Sequence, residues 1–171
     1  MDVNRRLKRE AWSATNLTVE APVKGNIEIA KGDLVFLDRI DGLRTRGVST
    51  ANYAVYPFSN LSGLTLTLAS NRTLAAENFL GVATWHSDSG VTETISVFIE
   101  GLFKFDLKHS SYTKIGHNVY PTGSGVTLYN QTIGAQDSIE NAIGKVAKSA
   151  RFANKVEMFI RSRIMRGQIL E

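Results

Sequence analysis

Two stretches of this chain follow one script. The first sets Gly32-Asp33-Leu34-Val35-Phe36 ahead of Phe79-Leu80-Gly81-Val82-Ala83 and Ile95-Ser96-Val97-Phe98-Ile99. The second sets Gly116-His117-Asn118-Val119-Tyr120 ahead of Ala142-Ile143-Gly144-Lys145-Val146-Ala147 and Val156-Glu157-Met158-Phe159-Ile160. In each copy a Gly turn launches a strand, a Gly-centred apolar segment follows, and an alternating strand closes the unit. A strand–turn–strand script used twice describes a compact β module. Two copies with unequal spacers do not make a solenoid. They point to a pseudo-symmetric barrel or sandwich.

The rest of the chain reads the same way. Leu64-Thr65-Leu66-Thr67-Leu68 and Gly101 to Leu107 alternate apolar and polar residues, as half-buried strands do. Leu80–Trp85 and Thr92–Ile99 flank the polar Ser87-Asp88-Ser89-Gly90 and read as a hairpin. Thr122-Gly123-Ser124-Gly125 is a turn ahead of Val126–Tyr129, and 142–147 with 155–163 form a last pair. About ten short strands with Gly-rich turns imply an all-β barrel or sandwich. Apart from a turn near Arg9–Trp12, only Thr73–Asn78 has helical composition, with Asn71 as its cap. Residues 44–61 are the least regular stretch. They look like an insertion, with Tyr53, Tyr56 and Phe58 grouped around Pro57 as a candidate recognition loop.

Residues 1–24 read as an N-terminal arm and 25–171 as the barrel-like domain. Leu17–Glu20 alternates as a strand does, and deleting residues 1–20 is expected to leave a folded barrel. The net charge of +4 is concentrated at the two ends, in Arg5-Arg6-Leu7-Lys8-Arg9 and in Arg161, Arg163 and Arg166. The centre is nearly neutral, which argues against a nucleic-acid-binding face on the folded body. The basic arm itself has three readings: a solvated end, a docking element for an acidic protein surface, or a nucleic-acid contact. With no cysteine, neither disulfides nor thiolate metal sites are available. No secretory h-region is visible, and no apolar run approaches the roughly 20 residues a membrane span needs.

Candidate chemistry is thin. His86, Asp88 and Ser87 or Ser89 supply triad residue types, but all crowd into one hairpin turn without a nucleophile elbow. His86, His109 and His117 lack metal-ligand spacing, and Asp33, Asp38 and Asp41 lack the bidentate Glu of a calcium loop. The Gly116–Gly125 stretch has no following Lys-Ser or Lys-Thr to cradle a phosphate. The expectation is no catalytic residue, no cofactor and no metal. Arg5, Arg6, Arg9 and Trp12 are of types favoured at protein interfaces, and with Tyr53, Tyr56 and Phe58 they form the expected interface set.

Three runs carry a family resemblance: Lys31-Gly32-Asp33-Leu34-Val35-Phe36-Leu37-Asp38, Asn78-Phe79-Leu80-Gly81-Val82-Ala83 and Val97-Phe98-Ile99-Glu100-Gly101-Leu102-Phe103. In this order they resemble bacteriophage capsid cement, or head decoration, proteins. Ala142–Val146 and Val156–Ile160 are similar to the second half of that pattern, so the likeness spans roughly residues 25 to 163. The chain departs from it in a longer insertion, 44–74, and in the basic arm. The resemblance implies a small β-barrel or β-tulip protein, not an enzyme, that is made in the host cytoplasm and carried on the outer surface of the capsid. It implies binding to the major capsid protein, commonly as a homotrimer, stabilising contacts between its subunits, with no nucleic acid and no membrane. The alternative from the residues alone is a binding module of another virion part, such as a tail or receptor-binding piece.

Overall fold

The computed structural model describes residues 17–24, 26–38, 54–63, 67–88, 94–136 and 141–165. Nine strands make one sheet: β1 (Leu17–Pro22), β2 (Leu34–Asp38), β3 (Ala54–Pro57), β4 (Phe79–Ala83), β5 (Thr94–Thr113), β6 (Asn118–Ser124), β7 (Thr127–Gln136), β8 (Gly144–Val146) and β9 (Ala150–Arg161). A 3-10 helix, Phe58–Gly63, and helix α1, Leu68–Glu77, separate β3 from β4. The all-β expectation holds.

The sheet closes on itself. Strands β5, β7, β6, β8 and β9 pair in that order, and β9 pairs back onto β5, so five strands form a closed barrel. Closure removes the exposed edges that make small sheets aggregate.

The first half repeats the same circuit. Strands β1, β5, β4, β2 and β3 pair in that order, and a parallel bridge from Val23 to Val55 returns β3 to the continuation of β1. The second half makes its parallel return where Leu107 meets Ile133. Registers correspond residue by residue. Leu34 faces Val82 and Val35 faces Gly81 in the first unit; Asn118 faces Lys145 and Val119 faces Gly144 in the second. Ala83 faces Val97 as Val146 faces Met158, and Ala21 faces Ile95 as Phe105 faces Val156. The chain is thus two five-strand units. The 20-residue β5 is the last strand of one and the first strand of the other.

This duplication explains residues the sequence reading placed elsewhere. Residues 17–23, assigned to the arm, correspond to 101–107 and belong to the sheet, where Ala21 and Val23 are buried. The reason is pairing: β1 covers one edge of β5, and β4 covers the other. The alternating run 64–68 is not a strand at its described end. Thr67 instead caps α1, its hydroxyl accepting from the Ser70 N–H at 3.2 Å. The helix therefore begins at Leu68, earlier than the Asn71 start that composition suggests, and Asn71 is buried within it, donating to the Val126 carbonyl.

A cut after residue 24 removes all of β1, leaving Ile95 and Val97 on an open edge and two buried side chains missing. We expect a loss of about 3 kcal/mol or more and visible aggregation. Truncation after residue 16 keeps every one of these pairs and is expected to melt like the full chain. Equal melting temperatures for the two truncations would refute the role given to β1.

Candidate interaction surface

Each unit turns at a matched loop. Gly32 and Gly116 both take positive φ, 90° and 89°, the region where a side chain is strained. The Gly32 N–H donates to the Ala83 carbonyl and the Ala83 N–H returns to Asp33, both at 2.9 Å. Gly116 and Val146 repeat the exchange, with His117 in place of Asp33, at 3.0 and 2.9 Å. The side chain after each glycine reaches back to the N–H three residues earlier: Asp33 Oδ2 to Ala30 at 2.9 Å and His117 Nδ1 to Lys114 at 3.5 Å.

Asp33 does more than hold its turn. It is 4% exposed, and Gln131 Nε2 donates to its Oδ1 at 2.8 Å while Asn130 Nδ2 reaches Oδ2 at 3.4 Å. Asn130 Oδ1 in turn accepts the Ser59 N–H at 2.8 Å. One buried carboxylate therefore ties the first unit's turn, the 3-10 helix and β7 of the second unit together.

Among the described residues, no arrangement suited to catalysis appears around the three triad residue types. His86 is exposed and lies against the Trp85 ring, with centroids 5.4 Å apart. Ser87 is held through its backbone, exchanging hydrogen bonds with Ile29 at 2.8 and 2.9 Å, and Asp88 faces solvent. No group of three or more His, Asp or Glu able to hold a metal occurs among the described residues. No described helix is long and apolar enough to cross a membrane.

Of the expected interface set, Arg5, Arg6, Arg9, Trp12 and Tyr53 lie outside the described residues. Tyr56 and Phe58 are described, and they are core. They are 1% and 0% exposed, Tyr56 stacks on Phe36 at 5.8 Å, and Phe58 meets Phe79 edge-on at 5.9 Å. Register explains the burial of Tyr56: it faces Phe36 across β2 and β3, so both rings lie on the same buried face in the first unit's interior.

The exposed apolar residues lie elsewhere. At the turn end of the first unit Trp85 is 61% exposed, with Lys31 Nζ 5.8 Å from its ring centre. At the matching end of the second unit, Lys114 lies 5.7 Å and Arg151 5.8 Å from the Tyr112 ring centre, and Phe152 beside them is 82% exposed. These two ends lie near opposite termini of β5. A third feature is an open cleft of about 410 Å³ lined by Lys145, Phe159, Arg161 and Arg163, in which Arg161 is paired with Glu100 at 3.3 Å. The Tyr112–Phe152 cluster escapes the sequence because its members stand just outside the runs 101–107 and 155–163, where β5 and β9 extend beyond them. The usable signal was the second copy itself, in which aromatic and basic residues replace the polar ones of the first.

No family model matches the sequence, and no curated protein matches it. Among solved structures, the chain is similar to the N base of the head fiber gp8.5 of bacteriophage phi29. The identity is 15% and the TM-score 0.44, over 86% of this chain and 96% of that one. A likeness of that size leaves both the fold and the role to be argued from this chain's own pairing and surface.

Proposed function

We propose that the chain is a non-enzymatic structural protein of a phage virion. It binds the outer surface of the capsid, clamps neighbouring major capsid protein subunits and acts as a homo-oligomer, with a trimer favoured. The supporting observation is the placement of the segments that resemble head decoration proteins. Gly32-Asp33 leads into β2, which is hydrogen-bonded to the strand of Gly81-Val82-Ala83 and through it to that of Val97-Phe98, and Gly116-His117, Gly144-Lys145-Val146 and Met158-Phe159 stand in the same register. A resemblance built from common strand residues gains weight when its pieces form one motif twice over.

The physics suits such a role. Interfaces of about 800 Å² per partner are specific, and an oligomer engaging several sites multiplies modest affinities without new chemistry. The test is to mix purified protein with phage heads that lack it and to measure its solution mass. Saturable co-sedimentation at a fixed number of copies per head, with a trimeric mass, is expected. Absence from the sedimented heads would overturn the capsid reading, and a monomer would overturn the trimer.

A further inference from the structure

We propose that the Tyr112–Phe152 end of the second unit is a docking surface for a protein partner that offers an apolar recess rimmed by Asp and Glu. The inference takes from the virion reading only the particle on which it is first tested.

Three observations carry it. The first is strain spent on display. Between Ser111, which faces Ala153, and Thr113, which faces Ala150, β9 holds two residues, Arg151 and Phe152, opposite the single Tyr112. This is a β-bulge, a device that re-aims side chains. Its Phe152 sits at φ 48°, in the left-handed region that a non-glycine residue enters at a cost, and yet its ring is 82% exposed. Burial gains from that ring do not offset the strain.

The second observation is an internal control. Thr113 faces Ala150 as Ile29 faces Ser87, so Tyr112 stands where the first unit has Glu28, and Arg151 where it has Asp88. The same fold accepts two exposed carboxylates at these positions. Nothing in the architecture requires an aromatic and a guanidinium there.

The third is charge. Residues 107–117 and 147–154 contain Lys108, Lys114, Lys148 and Arg151 and no carboxylate. The matching residues 23–33 and 84–91 contain Lys24 and Lys31 against Glu28, Asp33 and Asp88. The field at this end is positive where its counterpart is mixed. An exposed apolar knob flanked by Lys114 and Arg151 is the complement of an apolar recess rimmed by carboxylates. A nucleic acid fits less well. Tyr112 already has two cations against its ring, and Phe152 is the other aromatic of the cluster, while single strands are bound by successive stacking platforms along a basic groove.

The test compares wild type with Phe152→Gly, the double variant Lys114→Glu/Arg151→Glu, and Trp85→Ser at the opposite end, all by co-sedimentation with phage heads lacking the protein. Phe152→Gly removes the knob and relieves the backbone, so it is expected to melt at or above the wild-type temperature while head occupancy falls at least tenfold. The charge reversal should fall at least as far, and Trp85→Ser should bind as wild type does. Full occupancy by Phe152→Gly and the charge reversal overturns the docking surface while leaving capsid binding intact. If wild type itself fails to bind heads, the capsid reading is lost, and a solution arm decides the surface. Isotope-labelled protein is titrated with a synthetic peptide alternating Leu and Glu, its Leu–Lys counterpart and single-stranded oligothymidine. Saturable shifts confined to Tyr112, Lys114 and 150–153, with the acidic peptide alone, support the proposal. No response there, an equal response to the basic peptide, or tighter binding of oligothymidine overturns it.

Discussion

Replacing Gly81 by alanine is expected to cost about 3 kcal/mol or more, a fall in melting temperature of roughly 10 °C for a chain of this size. A Cβ at Gly81 would stand 1.9 Å from the Phe98 carbonyl oxygen and 2.8 Å from its carbon. Those atoms are backbone of β5, the strand both units share, so they cannot swing aside as a side chain would. The matched position shows the same crowding: a Cβ at Gly144 would meet the Phe159 carbonyl oxygen at 2.5 Å. Both glycines face a neighbouring strand that passes too close for any side chain, which is what a tightly wound small barrel demands. Gly116 provides the contrast. A Cβ there meets nothing within 4 Å, but φ is 89°, so Gly116→Ala should carry only a conformational penalty of about 1 kcal/mol. Chemical denaturation of the three alanine variants should rank Gly81 and Gly144 well above Gly116. Equal, small losses at all three would mean that the strands can part and that the close approach is not structural.

The duplicated script made half of this architecture legible. The strands seen twice in the sequence, β2, β4 and the start of β5 against β6, β8 and β9, are those that follow a glycine turn, centre on a glycine or alternate to close the unit, and they align residue for residue. The other two strands of each unit carry no such mark. Leu17–Pro22 is a single short alternation behind a charged leader, and only its pairing with β5 makes it a barrel strand. Gly101 looks like a break between two strands, yet β5 runs through it and joins the units. The run 64–68 shows the limit of period alone. A two-residue alternation of Leu and Thr fits a strand, but the Thr67 hydroxyl accepting from Ser70 starts a helix that packs against β6 and β7.

The interface expectation diverged for a related reason. Tyr56 and Phe58 looked available because they stand in an irregular stretch beside a proline, and irregular loops are usually surface. In the fold Ala54–Pro57 is a fully buried strand, and the rings close the first unit's interior. Of the residues that do project, Trp85 closes the strand-like run 80–85, while Tyr112 and Phe152 lie just outside the runs 101–107 and 155–163. What lifts them out of the core is a bulge and a turn, neither of which hydrophobic periodicity encodes.

Asp33→Ala is expected to destabilise the protein by about 2 kcal/mol, the other large effect. The carboxylate is 4% exposed and collects the Ala30 N–H, Gln131 Nε2 and Asn130 Nδ2. Ala30, Asp33 and Asn130 line an open cleft of about 400 Å³ and Gln131 is exposed, so water can reach the three donors once the carboxylate is gone; what is lost is the charged acceptor that holds them together. The damage should not stay local. Asn130 also accepts the Ser59 N–H, and Gln131 Nε2 lies 3.3 Å from the Lys31 carbonyl, so loosening Asp33 frees the insertion and β7 together. Asp33→Asn keeps the shape but offers one acceptor oxygen where two are used, and it should fall between alanine and wild type. A double-mutant cycle pairing Asp33→Ala with Gln131→Ala measures the link directly. Coupling of about 1 kcal/mol or more is expected if the carboxylate joins the two units, and additive losses would show that each unit holds its turn alone.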